Sequence, residues 1–311
     1  MIYFILLLIQ ILNVVFSFKP VCLDSKNFFI KARDGLEISA IYKNSSQIEN
    51  KKNPLIFIHG SNAGGWIYDE YWLDYFSSYG YESYAINMRG SNVTGNLDYK
   101  KDINFIDHTN DLEDIIKYFN KNIGKPTIIA HSYGGLVLTK YYENVKNRNS
   151  TNASIWISSL PPSGEKYLLP RFFFRKNIIR VINSALSARL DTKIGLNKLL
   201  FYDDCTKDYD VEWYINNFQK DSNYLLDRLS ISNNLPDISK FKNENIWSNE
   251  SKKFVLGSYD DFILDRFSVY ETKKIVNSNK PEFLRECGHN MMLGSNWRIA
   301  ADKIINFLSN T

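Results

Sequence analysis

Short apolar runs alternate with helical stretches along most of this chain, and this alternation constrains its fold more than any other feature. LIFIHG at 55–60 and PTIIAHS at 126–132 have the continuous apolar character of buried parallel strands. Stretches with helical patterning follow each run, such as YDEYWLDYFSSYG at 68–80 and the acid-started DHTNDLEDIIKYFNKNIG at 107–124. This order predicts an α/β fold with a doubly wound, mostly parallel sheet.

Before the first of these runs, NFFIKARDGLEISAIYK predicts an antiparallel hairpin, because Asp34-Gly35 is a strong turn signal between two strand-like segments. A later stretch, 165–251, interrupts the alternation with helix-rich sequence. An insertion of that size between two strands predicts a helical cap over the carboxyl edge of the sheet. The core domain would then comprise 28–164 and 252–311.

Composition excludes several classes of protein. The 311 residues are 44% hydrophobic with a net charge of +4, so the chain is not predominantly disordered. The balance of 38 basic and 34 acidic residues gives no reason to expect nucleic acid as a partner. Three scattered cysteines are too few for a disulfide framework or a zinc site, and no dinucleotide or phosphate-loop motif is present, so we expect no cofactor and no metal.

The first eighteen residues, MIYFILLLIQILNVVFSF, carry no charged side chain. The segment at 1–18 is short for a membrane span and is interrupted by polar residues, which favours a signal peptide cleaved after Ser17, with an uncleaved anchor as the alternative. We therefore expect entry into the secretory pathway. The slightly basic stretch that follows leaves a plastid reached by that route as a second destination.

The strongest chemical signal is Ala130-His131-Ser132-Tyr133-Gly134-Gly135, which lies between an apolar strand and an apolar helix. This context is what a nucleophile elbow needs, because small residues must flank a serine held on a strained turn. The helix that follows directs its N-terminus at the hydroxyl. A Ser-x-Gly sequence is also common in ordinary strand-to-helix turns, so the motif requires partners.

A serine nucleophile needs a base, and the chain has only four histidines. His59 and His108 precede Ser132, which is the wrong order for this architecture. His131 adjoins the serine and is expected to point away from it. His289 follows the last predicted strand in a glycine-containing loop, and it is our candidate base, with an ordinary surface histidine as the alternative.

The acid that orients the base should come from the end of a strand between the serine and the histidine. GSYDD follows such a strand and offers two adjacent carboxylates. We predict Asp260, because it stands three residues after Gly257 at the turn that leaves the strand. Asp261 is the second candidate and would otherwise be a solvated neighbour.

Negative charge in the transition state requires hydrogen-bond donors. The backbone N–H of Tyr133, directly after the nucleophile, is one predicted donor. The second should follow the first parallel strand, where we predict the N–H of Ser61, with Asn62 as the alternative. The glycines of this loop suit a chain folded close to a substrate.

Five segments together resemble the α/β-hydrolase family, in particular its serine esterases, lipases and lysophospholipases: HGSNAGGW, NMRGSN, AHSYGG, GSYDDF and GHNMML. The resemblance runs from about 28 to 308 and implies a Ser-Asp-His triad on an α/β-hydrolase fold. The chain is also similar to a branch of plant and algal plastid proteins. It departs from the family at Ala130, where glycine is usual, and at Asn87, where relatives often carry aspartate.

The function implied is hydrolysis of a carboxylic ester, of a small molecule or a lipid, through an acyl-enzyme. An apolar stripe at the start of the cap would suit an acyl chain, although the same stripe would serve to pack the cap on the core. A thioesterase, amidase, C–C hydrolase or lyase is the alternative within this fold, and a non-catalytic binding protein is the alternative outside catalysis. Membrane contact would involve the N-terminal segment or the cap.

Overall fold

The computed structural model describes residues 26–46, 52–61, 63–91, 103–144, 149–173, 200–201, 212–217, 228–243 and 251–310. The predicted signal peptide, the alternative oxyanion residue Asn62 and much of the predicted cap lie outside these ranges. Within them, no helix has the length and apolarity needed to cross a bilayer.

One sheet forms the centre of the molecule. Its strands are β1 (Lys26–Lys31), β2 (Glu37–Lys43), β3 (Leu55–Ile58), β4 (Ser83–Ile86), β5 (Thr127–His131), β6 (Ala153–Ile157), β7 (Lys252–Ser258) and β8 (Glu282–Leu284). They are arranged in the order β1-β2-β4-β3-β5-β6-β7-β8. The β1–β2 hairpin is antiparallel, as predicted, and β2 pairs antiparallel with β4. All pairings from β4 to β8 are parallel, which confirms the predicted α/β architecture.

Helices connect and cover the strands. They are α1 (Trp66–Asp69), α2 (Trp72–Ser78), α3 (Phe105–Asn122), α4 (Tyr133–Asn144), α5 (Leu168–Phe173), α6 (Arg228–Asn233), α7 (Ile238–Asn243), α8 (Arg266–Val276) and α9 (Trp297–Ser309). Helix α3 begins two residues before the predicted start at 107. The reason is a capping box, in which Asn104 accepts from the backbone of Asp107 and the Asp107 carboxylate accepts from the backbone of Asn104.

The apolar strands carry core residues on both faces of the sheet, which explains why their sequences do not alternate. Leu55 and Phe57 of β3 belong to a cluster with α1, α2 and α9, whereas Ile56 and Ile58 belong to a second cluster with α3 and α4. Successive side chains of a strand point to opposite faces. The sheet is therefore covered on both sides, as a doubly wound fold requires.

The described parts of the predicted cap make polar contacts with the core. Arg171 of α5 pairs with Asp265 at 2.8 Å, just before α8. Lys240 of α7 pairs with Glu143 of α4 at 2.9 Å, and the latter carboxylate is buried. These contacts attach both ends of the insertion to helices α4 and α8, which pack on the same side of the sheet.

Candidate active site

A sharp turn between β5 and α4 presents the candidate nucleophile. Ser132 has a φ of 52°, in the left-handed region that side-chain-bearing residues rarely adopt. Three backbone hydrogen bonds hold this conformation: the Ser132 N–H donates to Ile157, and the Ser132 carbonyl accepts from Gly135 and Leu160, at 2.9–3.0 Å. Such over-determination is what maintains a strained residue at a functional site.

Three side chains from separate parts of the sequence meet beside this turn. Nε2 of His289 lies 3.1 Å from Oγ of Ser132, and Nδ1 of the same ring lies 3.0 Å from Oδ2 of Asp261. A carboxylate only accepts, so Nδ1 carries the proton and Nε2 accepts from the serine hydroxyl. All three groups are at the carboxyl edge of the parallel strands, and Asp261 and His289 are buried.

The prediction that Asp260 orients the histidine is wrong. The carboxylate of Asp260 instead accepts from the backbone N–H of Glu286 at 2.7 Å, at the start of the loop that carries His289. The chain turns at Asp260 after leaving β7, so the next residue, Asp261, points inward. Asp261 is only 7% exposed and is not the solvated neighbour that the sequence suggested.

The Asp261 carboxylate is fixed by its own loop. Its Oδ1 accepts from the backbone N–H groups of Ile263 and Leu264 at 2.8 and 2.9 Å, which leaves Oδ2 for His289. Burial raises the pKa of this carboxyl, but His289, the Leu264 N–H and the Ser158 hydroxyl together outweigh burial and lower the pKa below its usual value. Asp261 is therefore a carboxylate at neutral pH.

The loop after β3 passes directly over the candidate nucleophile, Ser132. A Cβ atom placed on Gly60 would lie 2.8 Å from Cβ and 3.3 Å from Oγ of Ser132, so only glycine fits. The predicted oxyanion residue Ser61 follows Gly60 in this loop. The other predicted donor, Tyr133, is the first residue of α4 and directly follows the serine.

Substituting Gly60 with alanine should lower kcat/KM by about 100-fold, because the new methyl group would displace the Ser132 side chain by a distance that catalysis does not tolerate. Ester hydrolysis assays on both proteins measure this effect. Gly124→Ala is the control for activity, since the nearest atom to its new Cβ, in Pro54, is 3.6 Å away; its φ of 157° favours glycine, so this variant should lose stability and keep its kcat/KM. Equal losses of activity in the two variants would contradict the close approach at Gly60.

Two polar side chains fix the loop after β3, which carries the predicted oxyanion residue Ser61 and is called the oxyanion loop below. The Met88 N–H donates to Nε2 of His59 at 3.1 Å, so Nδ1 carries the proton and donates to the carbonyl of the next residue at 2.7 Å. Asn87 accepts from the Gly65 N–H at 2.8 Å and donates to the Ser39 hydroxyl at 2.9 Å. The second bond uses the amide NH₂, so the Asn87 side chain connects the residue before α1 to strand β2.

A second network holds the side chain of Tyr133. The tyrosine hydroxyl donates to Nδ1 of His108 at 2.8 Å, and Nε2 of His108 donates to the Arg89 carbonyl at 2.9 Å. The Arg89 guanidinium in turn pairs with Asp111 at 2.7 Å and with Asp34 at 2.6 Å. The sequence alone does not indicate this role for His108, which connects the Arg89 loop to Tyr133, the residue after the candidate nucleophile.

Free energy of unfolding should fall as the pH is lowered from about 6.5 towards 4, because three buried histidines are held neutral. Burial lowers the pKa of His59 to about 4 and of His131 to about 3, and it also lowers the pKa of His108. The unfolded chain takes up these protons first, so stability present above the unfolded pKa is lost on acidification. Denaturant titrations across this range test the effect. His59→Gln should reduce the slope, and an unchanged slope would contradict the assignment.

Residues 200–201 of the insertion pack against the loop that carries His289. The Asn290 N–H donates to the Leu200 carbonyl at 2.8 Å. A Cβ atom on Gly288 would lie 2.5 Å from the carbonyl carbon of Phe201, so the two backbones are in direct contact. The described part of the insertion thus reaches the residues on either side of His289.

Cys287 is buried in the same loop, and its Sγ lies 3.8 Å from the Asn296 carbonyl, which is a packing contact. Among the residues that the structure describes, no three histidine, cysteine or carboxylate side chains are grouped as metal ligands would be.

Solved structures share this architecture at low sequence identity. An esterase, EaEST, from Exiguobacterium antarcticum superposes with a TM-score of 0.66 over 91% of this chain and 100% of its own, at 16% identity. An aryl esterase described as putative, from Burkholderia cenocepacia, has a TM-score of 0.66 over 91% and 98% of the two chains, at 15% identity. A variant of the meta-cleavage product hydrolase CumD has a TM-score of 0.65 over 91% and 98%, at 12% identity.

At these identities the likeness establishes the fold. No curated protein matches the sequence significantly. A family model described as the alpha/beta hydrolase family, however, matches residues 55–302, which include the candidate nucleophile, base and acid. Since this match spans most of the sequence and the strand order agrees with it, the chain belongs to the alpha/beta hydrolase family.

Proposed function

We propose that the chain is a serine hydrolase that cleaves carboxylic esters through an acyl-enzyme. The observation that carries this proposal is the continuous hydrogen-bond chain from Ser132 through His289 to Asp261, with distances of 3.1 and 3.0 Å. A serine on a strained turn, a histidine with its acceptor nitrogen on the hydroxyl, and an ionised carboxylate behind it are the three parts that nucleophilic acyl transfer needs.

In the first half of the reaction, Oγ of Ser132 attacks the ester carbonyl carbon while Nε2 of His289 takes the hydroxyl proton. The carbonyl π bond breaks and its oxygen becomes an oxyanion. Asp261 keeps Nδ1 protonated and stabilises the imidazolium that forms. The C–O bond to the alcohol then breaks, and His289 returns the proton to the leaving oxygen, which releases the alcohol and leaves the acyl group on the serine.

In the second half, water attacks the acyl carbon while Nε2 again accepts a proton. Collapse of the second oxyanion breaks the bond to Oγ while the imidazolium of His289 gives its proton to Oγ, which releases the carboxylic acid and restores the serine. We assign oxyanion stabilisation in both halves to the backbone N–H groups of Ser61 and Tyr133. The fixed oxyanion loop and the positive end of α4 support this assignment.

Aromatic packing connects α1, which follows the loop of Ser61, to the insertion, and from this packing we infer an ester with an apolar part. Trp66, which opens α1, packs edge-on against Trp213 and Tyr214 of the insertion, with ring centroids 5.4 and 5.3 Å apart. A C–C hydrolase is the second candidate, because the meta-cleavage product hydrolase shares this fold and the same serine constellation serves either bond.

The proposal predicts that a fluorophosphonate probe labels Ser132, because only an activated serine reacts with it at neutral pH. Mass spectrometry of the labelled protein identifies the modified residue. Initial rates on p-nitrophenyl esters of graded acyl length and on a vinylogous 1,5-diketone then separate ester cleavage from C–C cleavage. Absence of labelling, or labelling elsewhere, would contradict a serine mechanism.

We also propose that residues 1–18 direct the chain into the secretory pathway. The supporting observation is the uncharged apolar run with small or β-branched residues at Val15 and Ser17, the positions that cleavage after Ser17 requires. N-terminal sequencing of the protein expressed in a secreting eukaryotic cell tests this: a new terminus at Phe18 supports cleavage, and an intact Met1 on a cytosolic protein contradicts it.

A further inference from the structure

A buried histidine that the proposed mechanism does not use lies between the two loops that form the site. Nε2 of His131 is 3.0 Å from the backbone carbonyl of His289, and the two imidazole rings lie with centroids 4.7 Å apart. A carbonyl only accepts, so Nε2 carries the proton and donates. The other ring nitrogen, Nδ1, faces Gly60: a Cβ atom added to that glycine would lie 3.1 Å from Nδ1.

Hydrogen bonds at Glu286, Cys287 and Asn290 hold the loop that carries His289. The Asp260 carboxylate accepts from the Glu286 N–H, and the Ser258 hydroxyl donates to the Cys287 carbonyl at 2.6 Å. The Asn290 N–H donates to the Leu200 carbonyl of the insertion. At His289 itself, the backbone contact is made by the His131 ring. Because backbone position sets where the imidazole can reach, this bond bears directly on the distance between Nε2 and Oγ.

The buried position of Nδ1 indicates that His131 lowers the free energy of unfolding of the protein. Nδ1 is buried and has no hydrogen-bond partner among the residues that the structure describes. An unsatisfied buried acceptor destabilises a protein, and an apolar side chain of similar size would not carry that penalty. Buried polar groups of this kind are expected at functional sites.

The charge state of the ring suits this position. Burial, the neighbouring His289 and His59 keep the pKa of His131 at about 3, so the ring is neutral in the range where hydrolysis would run. A second cation here would oppose formation of the imidazolium on His289. A neutral donor holds the loop without that penalty.

We propose that His131 is a positioning residue that fixes the backbone of His289 and thereby keeps its Nε2 in reach of Ser132. This inference rests on the proposed serine mechanism, since it concerns the geometry of that base. It predicts that the N–H donor, and not the size or burial of the side chain, determines the turnover rate.

Two near-isosteric substitutions isolate the donor. His131→Gln places an amide N–H about where Nε2 lies, whereas His131→Met fills the same space without a donor. With an ester substrate, His131→Met should lower kcat by about 10- to 100-fold with little change in KM, because binding is retained and alignment is lost. His131→Gln should recover most of the wild-type kcat. The rate of fluorophosphonate labelling should follow the same order.

Measurements of the free energy of unfolding distinguish a positioning role of His131 from a purely structural one. His131→Met removes an unsatisfied buried nitrogen but leaves the His289 carbonyl without its donor, so its resistance to denaturant should stay close to that of the wild type. Ile304→Ala, in the buried face of α9, is the control that should lose stability and keep its kcat. If His131→Met does not fold, His131→Asn replaces it, because the shorter amide cannot reach the carbonyl.

Equal kcat values for the Gln variant and the donor-less variant would overturn the inference, and so would a loss of kcat that matches the loss of stability. The proposed function fails separately. If Ser132→Ala remains active, the serine mechanism is wrong. If Ser132→Ala is inactive while His131→Met turns over normally, only the role of His131 is wrong.

Discussion

Replacing Asp261 with asparagine is expected to lower kcat by about 10⁴-fold, as the equivalent change has done in other triads. The two backbone N–H groups that donate to Oδ1 require an acceptor there, so an asparagine would keep its oxygen in that position. Its NH₂ group would then occupy the place of Oδ2 and face Nδ1 of His289. That arrangement favours a proton on Nε2, which could no longer accept from Ser132. Steady-state kinetics with an ester substrate measure the loss.

Asp260→Asn is the matched control for Asp261→Asn, because the two residues are adjacent and the chemical change is identical. The asparagine oxygen can still accept from the Glu286 N–H, so we expect kcat to stay within about threefold of the wild type. The reverse ranking of the two variants would return the orienting role to Asp260. Equal large losses would show that loop position, more than the imidazole tautomer, limits the rate.

Ser132→Ala is expected to reduce kcat by about 10⁶-fold, because no other group can form the acyl-enzyme. The fold should be retained: alanine and serine both carry a Cβ atom, so the cost of the left-handed backbone at this position is the same for both. Thermal unfolding followed by circular dichroism, together with assays sensitive enough for slow turnover, tests both statements.

Ser78→Ala, at the exposed end of α2, is the control for Ser132→Ala and should hydrolyse esters at the wild-type rate. Turnover in Ser132→Ala above about one per cent of the wild type would remove the serine from the role of nucleophile, because a triad without its nucleophile retains far less. Loss of the far-ultraviolet signal would instead show that the turn requires the hydroxyl for folding.

The sheet could be predicted from the sequence because its strands are apolar on both faces. LIFI and TIIA become buried parallel strands wherever helices cover them, so local pattern and final burial agree. The nucleophile turn could be predicted for a similar reason, since a serine between small residues after such a strand has few alternative structures. Here local sequence determines local structure.

The choice between Asp260 and Asp261 could not be made in this way. Both carboxylates follow the same strand, and which of them points inward depends on hydrogen bonds that the loop makes after it leaves the sheet. The N–H groups of Ile263 and Leu264 that capture Asp261 lie further along the chain, and the N–H of Glu286 that captures Asp260 belongs to another loop. Spacing from a glycine carries none of that information.

The insertion between β6 and β7 occupies a connection that any sheet of this kind must make. Ala153 pairs with Lys252 in parallel register. The chain therefore leaves the carboxyl end of β6 and has to return to the amino end of β7, with or without a cap. Lengthening such a connection is thermodynamically inexpensive, about 0.6 kcal/mol for each doubling of a flexible loop. Exchange of the insertion for one of different length is thus compatible with the same catalytic core. A replacement must still make equivalent contacts with the core, and at the site it must supply a carbonyl acceptor for Asn290 where Leu200 does now.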